Sequence, residues 1–159
     1  MERITVLGVG NILMQDEGFG VRVVEQLHRK YNFPENVQVL DGGTLGMELL
    51  RFLIGTDKLI LVDAVSGDLP PGAFYQFSHD EVKTYFKEKV SMHELGIQDV
   101  LAVMEVLEQP AKEIRILGVQ PLTIDIGLEM TTVVTEAMEN VIEKLLLLLQ
   151  EWQVEVMKK

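Results

Sequence analysis

Five short apolar runs, each bounded by turn residues and separated by stretches of helical periodicity, constrain this chain more than any other feature. They are RITVLG (3–8), VQVL (37–40), KLILV (58–62), AFYQF (73–77) and IRILGV (114–119). Between them, residues 18–30 place Val21, Val24 and Leu27 on one helical face, 46–54 place Met47, Leu50 and Leu53, and 97–108 place Val100, Val103, Met104 and Leu107. A last helix over 131–152 spaces Val134, Met138, Val141, Leu145 and Leu148 in the same way. Strands that alternate with helices imply βαβ units and a sheet covered on both faces. The stretch LPPGAFYQF breaks the rhythm, because its Pro-Pro-Gly turn leaves no room for a crossover helix and so predicts an antiparallel fourth strand. The expected fold is α/β: a three-layer α/β/α arrangement with a five-stranded, mostly parallel (mixed) sheet. At 159 residues without repeats or a long linker, the expectation is one domain over 1–159.

Charge narrows the partners. With 25 acidic against 14 basic residues and a net charge of −11, the chain lacks the basic footprint of a nucleic-acid binder. The leucine run 145–149 is far too short to span a bilayer and belongs to the inner face of the last helix, so no membrane partner is expected. The absence of cysteine removes disulfides, thiolate ligands and thiol nucleophiles. The opening MERITVLG runs straight into a strand rather than reading as a signal peptide, and a cytoplasmic location is expected. The eight methionines are scattered and read as core filler, and Trp152 as a packing residue of the last helix.

The first strand leads into GVGNILMQDEGFG (8–20), a glycine-rich loop of unusual content. Leu13 stands where a dinucleotide fingerprint needs its third glycine, and no Gly-Lys-Ser/Thr follows, so no nucleotide cofactor is expected. Asp16 and Glu17 would also neutralise the helix end that attracts phosphate. They read either as helix caps or as part of a cation site. Strand two delivers Asp41 with Gly42 and Gly43, and strand three delivers Asp63, so three acidic loops open onto the rim where parallel strands end. In KVSMHELG, Ser91 and Glu94 have capping-box spacing and leave His93 to project from the first turn. Glu17, Asp63 and His93 would then make a three-ligand set with open positions, suited to nickel or zinc. HELGI lacks the second histidine of a zincin, Ile97 standing in its place. His28 and His79 read as ordinary surface or core residues.

Taken together, GVGNILMQDEGFGVRVVE, LDGGTLGMELL, ILVDAV and HELGIQDVL, with ILGVQP and the last helix, resemble the hydrogenase maturation endopeptidases. That family trims the C-terminal extension from the large-subunit precursor of nickel-iron hydrogenases, cutting after a His or Arg beyond the nickel-binding cysteine motif. The resemblance implies that Glu17, Asp63 and His93 bind nickel already carried by the precursor, with no resident metal. It implies an aspartic-type endopeptidase with Asp16 or Asp41 as proton-handling neighbours, the metal either polarising the scissile carbonyl or activating water. Asp41 and its glycines equally suit close approach of the substrate backbone, and Glu94 either tunes the site or caps the helix. Glu17 and His93 are expected on solvent-facing loops. The rival readings are a non-catalytic nickel-sensing or chaperone module for the same precursor and a nucleotide-binding domain.

Overall fold

A computed structural model describes residues 1–43, 45–82, 85–86 and 94–159. Its strands are β1 (Ile4–Val9), β2 (Tyr31–Asn32), β3 (Val37–Gly43), β4 (Lys58–Ala64), β5 (Phe74–Phe77), β6 (Glu113–Val119) and β7 (Met157–Lys158). The α-helices are α1 (Phe19–Lys30), α2 (Leu50–Leu53), α3 (Glu94–Val106) and α4 (Thr132–Glu151). Five strands form one sheet in the order β3-β1-β4-β6-β5. All neighbours pair in parallel except β5, which runs against β6 with Phe74 opposite Val119 and Phe77 opposite Ile116. The Pro-Pro-Gly turn thus reverses the chain, as its length requires.

Period-two alternation divides the strand side chains between two cores. Val6, Ile60, Val62, Leu117 and Val119 face α1 and α4, packing on Val24, Leu27, Val141 and Leu145. Leu7, Leu59, Leu61, Ile114 and Ile116 face the other way, toward Leu53, Ile97, Val100 and Met104. The sheet is therefore flanked by helices on both faces, in a mixed, mostly parallel α/β arrangement.

Several expectations shift in detail. β3 and β4 extend to Gly43 and Ala64, so Asp41 and Asp63 are residues of the ladder itself: Gly8 pairs with Asp41 and Asp63 with Gly118. The 46–54 helix is a 3-10 turn, Met47–Leu49, followed by the single turn α2. Met47 and Leu107 are exposed rather than inward. Core filling holds for Met104 and Met138, whereas Met1, Met47 and Met157 are exposed. Trp152 packs on the core from just beyond α4, with Lys58 Nζ 4.9 Å from its ring centre. The two-stranded β2–β7 pair was not foreseen, since two-residue strands carry no periodicity; it ties the C-terminus down, with Lys159 N donating to Lys30 O at 2.9 Å. Among the described residues no helix is long and apolar enough to cross a membrane.

Candidate active site

The chain leaves β1 through α1 toward β3 on one side, and leaves β4 toward β5 and β6 on the other. The carboxyl ends of β1 and β4 thus flank the point where the strand order reverses, the usual place for a crevice in an open α/β sheet. Glu17 lies in the 3-10 turn Gln15–Gly18 that follows β1, and Asp63 is the penultimate residue of β4. The turn packs directly on β4.

Two glycines make that packing possible. Gly10 has φ 139°, a conformation closed to most L-residues, and a Cβ on it would overlap the carbonyl oxygen of Glu17. A Cβ on Gly20 would overlap the carbonyls of both Val62 and Val9, so the first turn of α1 rests on the two strand ends. The glycine-rich loop is therefore a close-packing device that seats the acidic turn on the sheet.

Asp16 and Glu17 are both buried, at 0% and 7% exposure. This corrects the expectation of a solvent-facing loop for Glu17: the glycines draw the turn down onto β4. Nor does Asp16 cap α1, whose N-cap position has no side-chain hydrogen bond. Its carboxylate turns the other way and accepts four hydrogen bonds from residues 122–131. Leu122 N, Thr123 N and Thr131 Oγ1 donate to Oδ2 at 2.9, 3.0 and 2.8 Å, and Thr131 N donates to Oδ1 at 2.8 Å. The residue before it, Gln15, sits at φ 51° and donates its backbone N–H to Gly127 O at 3.0 Å.

Asp63 is fully buried. Its Oδ1 accepts from Ala64 N at 2.8 Å and its Oδ2 from the Tyr85 hydroxyl at 3.3 Å. Asp41, by contrast, is exposed and lines a cleft of about 320 Å³ with Gly10, Asn11, Ile12, Leu13, Val21 and Gly43. The β1–β3 register shifts by one residue between Gly8 and Val9, leaving Gly42 without a partner in the ladder, and Gly10 N then donates to Gly43 O at 2.8 Å. This irregularity holds Asp41 on the cleft.

His93 lies outside the described residues, as does Ser91 of the expected capping box. Among the described residues no three His, Asp or Glu side chains converge as a metal-binding group. His28 and His79 have structural partners: His28 Nε2 lies 2.9 Å from Val39 O, and His79 Nδ1 accepts from Ile114 N at 2.9 Å.

The sequence model of the hydrogenase maturation protease family matches residues 21–147. The chain is 40% identical over 158 residues to the hydrogenase 2 maturation protease of Escherichia coli, covering 99% of this chain and 96% of that one. It belongs to the hydrogenase maturation protease family. As a member, it is a hydrolase, an endopeptidase. This maturation protease is also 41% identical over 159 residues to the hydrogenase expression/formation protein HupD of Bradyrhizobium diazoefficiens, covering 99% of this chain and 83% of that one. Its fold matches the hydrogenase maturating endopeptidase HybD from E. coli with a TM-score of 0.93 at 39% identity, over 99% of this chain and 98% of that one. The maturation protease HybD from Thermococcus kodakarensis matches with a TM-score of 0.78 at 28% identity, over 92% and 98%.

Sequence reasoning missed one feature of this maturation protease: the tie between Asp16 and residues 122–131. A signal for it was present, since an acid in a glycine-rich turn that neither caps the helix nor faces solvent must find buried donors elsewhere.

Proposed function

We propose that this protein removes the C-terminal extension from the nickel-loaded large-subunit precursor of a nickel-iron hydrogenase, in the cytoplasm. In this reading Glu17, Asp63 and His93 meet nickel that arrives as part of the substrate, and the enzyme keeps no metal or nucleotide of its own. The observation that carries it, beside family membership, is the seating of the buried Glu17 turn against β4, whose penultimate residue is the buried Asp63, next to an open cleft lined by Asp41. Carboxylate oxygens and an imidazole suit a divalent nickel centre with unfilled positions, and in this reading that centre arrives only with the precursor.

The reaction adds water to the scissile carbonyl carbon, breaks the C–N bond and transfers a proton to the leaving amine. In this reading Asp41, the exposed carboxylate on the cleft, accepts the proton of the attacking water and passes it on. Asp16 has its oxygens committed to four donors and acts as a positioning residue for the Glu17 turn. Intact mass measurement of the cognate nickel-loaded precursor after incubation with the protein tests the reading. Loss of the C-terminal extension is expected; a precursor that is bound but stays full-length would instead mark a chaperone or nickel-sensing module.

A further inference from the structure

Residues 121–130, PLTIDIGLEM, alternate apolar and other side chains, yet they form no strand of either sheet. Leu122, Ile124, Ile126 and Leu128 are between 44% and 88% exposed, and Leu13 on the cleft is 57% exposed. Such a concentration of exposed branched apolar side chains is unusual on a chain of net charge −11. The segment is nonetheless firmly held. Leu122 N and Thr123 N bond the Asp16 carboxylate, as Thr131 does twice just beyond the segment; Thr123 O accepts from Asp16 N at 3.1 Å, and Gly127 N donates to Leu13 O at 2.8 Å. Arg22 Nη2 donates to Leu128 O at 3.0 Å. A fully buried aspartate thus fixes an apolar, solvent-facing segment directly to the turn that carries Glu17.

We infer that this segment, with Leu13, is the docking surface for apolar side chains of the precursor polypeptide flanking the cleavage junction. The inference rests on the proteolytic reading above. Two observations choose the occupant. The surface is continuous with the cleft, because Leu13 lines the cleft and is hydrogen-bonded to Gly127. Its own charges are Asp125 and Glu129 without a Lys or Arg, which an anionic bilayer would repel but an apolar peptide surface would not. The Asp16 bonds then couple docking to the chemistry: a precursor seated on 122–128 is held in fixed register with Glu17.

Biolayer interferometry against the full-length, nickel-loaded precursor tests the docking. Ile124→Ser combined with Ile126→Ser should raise Kd about tenfold or more with an unchanged melting temperature. Ile126→Met, which keeps the apolar contact, should bind as the unaltered protein does. Val106→Ser should also leave Kd unchanged, since Val106 is 81% exposed at the C-terminal end of α3, which leads into the amino end of β6, whereas the cleft lies at the carboxyl ends of the parallel strands. Equal affinity of the double variant would overturn the inference. So would failure of the unaltered protein to bind precursor, or a homodimer that the double variant dissolves while precursor affinity stays the same. Tail release in the same samples separates the two readings. Binding that depends on Ile124 and Ile126 without any cutting would leave docking standing and remove the protease assignment. Cutting by the double variant at unchanged KM would do the reverse.

Discussion

Thr131 is joined twice to Asp16, a residue 115 positions earlier: its backbone N–H reaches Oδ1 and its hydroxyl reaches Oδ2, both at 2.8 Å. Thr131 is also the N-cap of α4. The pair therefore links the turn after β1 to the start of the helix that covers one face of the sheet.

Asp16→Asn should be strongly destabilising. Three of the four partners are backbone N–H groups, which cannot accept: an amide NH₂ in place of Oδ1 faces the Thr131 N–H, and in place of Oδ2 it faces the Leu122 and Thr123 N–H groups with only the Thr131 hydroxyl able to turn and accept. A loss of about 3 kcal/mol or more is expected in urea unfolding at neutral pH. A loss below about 1 kcal/mol would show that the network can be rebuilt around an amide.

Gly10→Ala should cost stability for a different reason. The alanine would have to adopt φ 139° and also displace the Glu17 carbonyl, so about 3 kcal/mol or more should be lost. Activity should fall further than the unfolded fraction explains, because the same displacement shifts Glu17. Urea unfolding and tail-release rates on one preparation check both parts.

Much of this architecture was legible in the chain. Alternating apolar runs and amphipathic stretches specify a parallel sheet with helices on both faces, and Pro70-Pro71-Gly72 specifies the one reversal. Glu17, Asp41 and Asp63 were legible as residues near strand ends because loops after parallel strands converge. Their environments were not. Whether a carboxylate is buried, like Asp16, or exposed, like Asp41, depends on close approaches at Gly10 and Gly20 and on a register shift beside Gly42, none of which leaves a periodic trace. The Asp16–Thr131 link joins residues too distant for any local pattern, and 122–128 alternates like a strand without pairing as one.

Glu17→Gln and Asp41→Asn should fail in different ways. Glu17 is proposed to hold the substrate's nickel, so its amide should lower kcat/KM for nickel-loaded precursor by at least about a hundredfold. Asp41 is proposed to move the proton, so its amide should lower kcat with KM nearly unchanged. Steady-state tail release at varied precursor concentration distinguishes them. Equal losses confined to KM in both variants would contradict the division of roles.

One pH effect belongs to the scaffold. Arg3 N donates to Asp57 Oδ2 at 2.8 Å and Lys112 Nζ lies 3.5 Å from Oδ1, and the backbone donor first, then the lysine charge, hold the Asp57 carboxyl below its ordinary value. A depressed folded-state value gives stability that is present above the unfolded pKa of about 3.9 and is lost as pH falls through the folded value. Asp57→Asn should thus lower the melting temperature at neutral pH, with the difference shrinking below about pH 4. A difference that grows on acidification would contradict the assignment.

The central claim is that the protein cuts only a precursor that already carries nickel. It is tested most directly by measuring tail release, by intact mass, from two preparations of one precursor whose nickel content has been determined, incubated with metal-free enzyme. The account predicts release of the C-terminal extension from the nickel-loaded preparation and a full-length mass for the nickel-free one. Efficient trimming of the nickel-free precursor would contradict it.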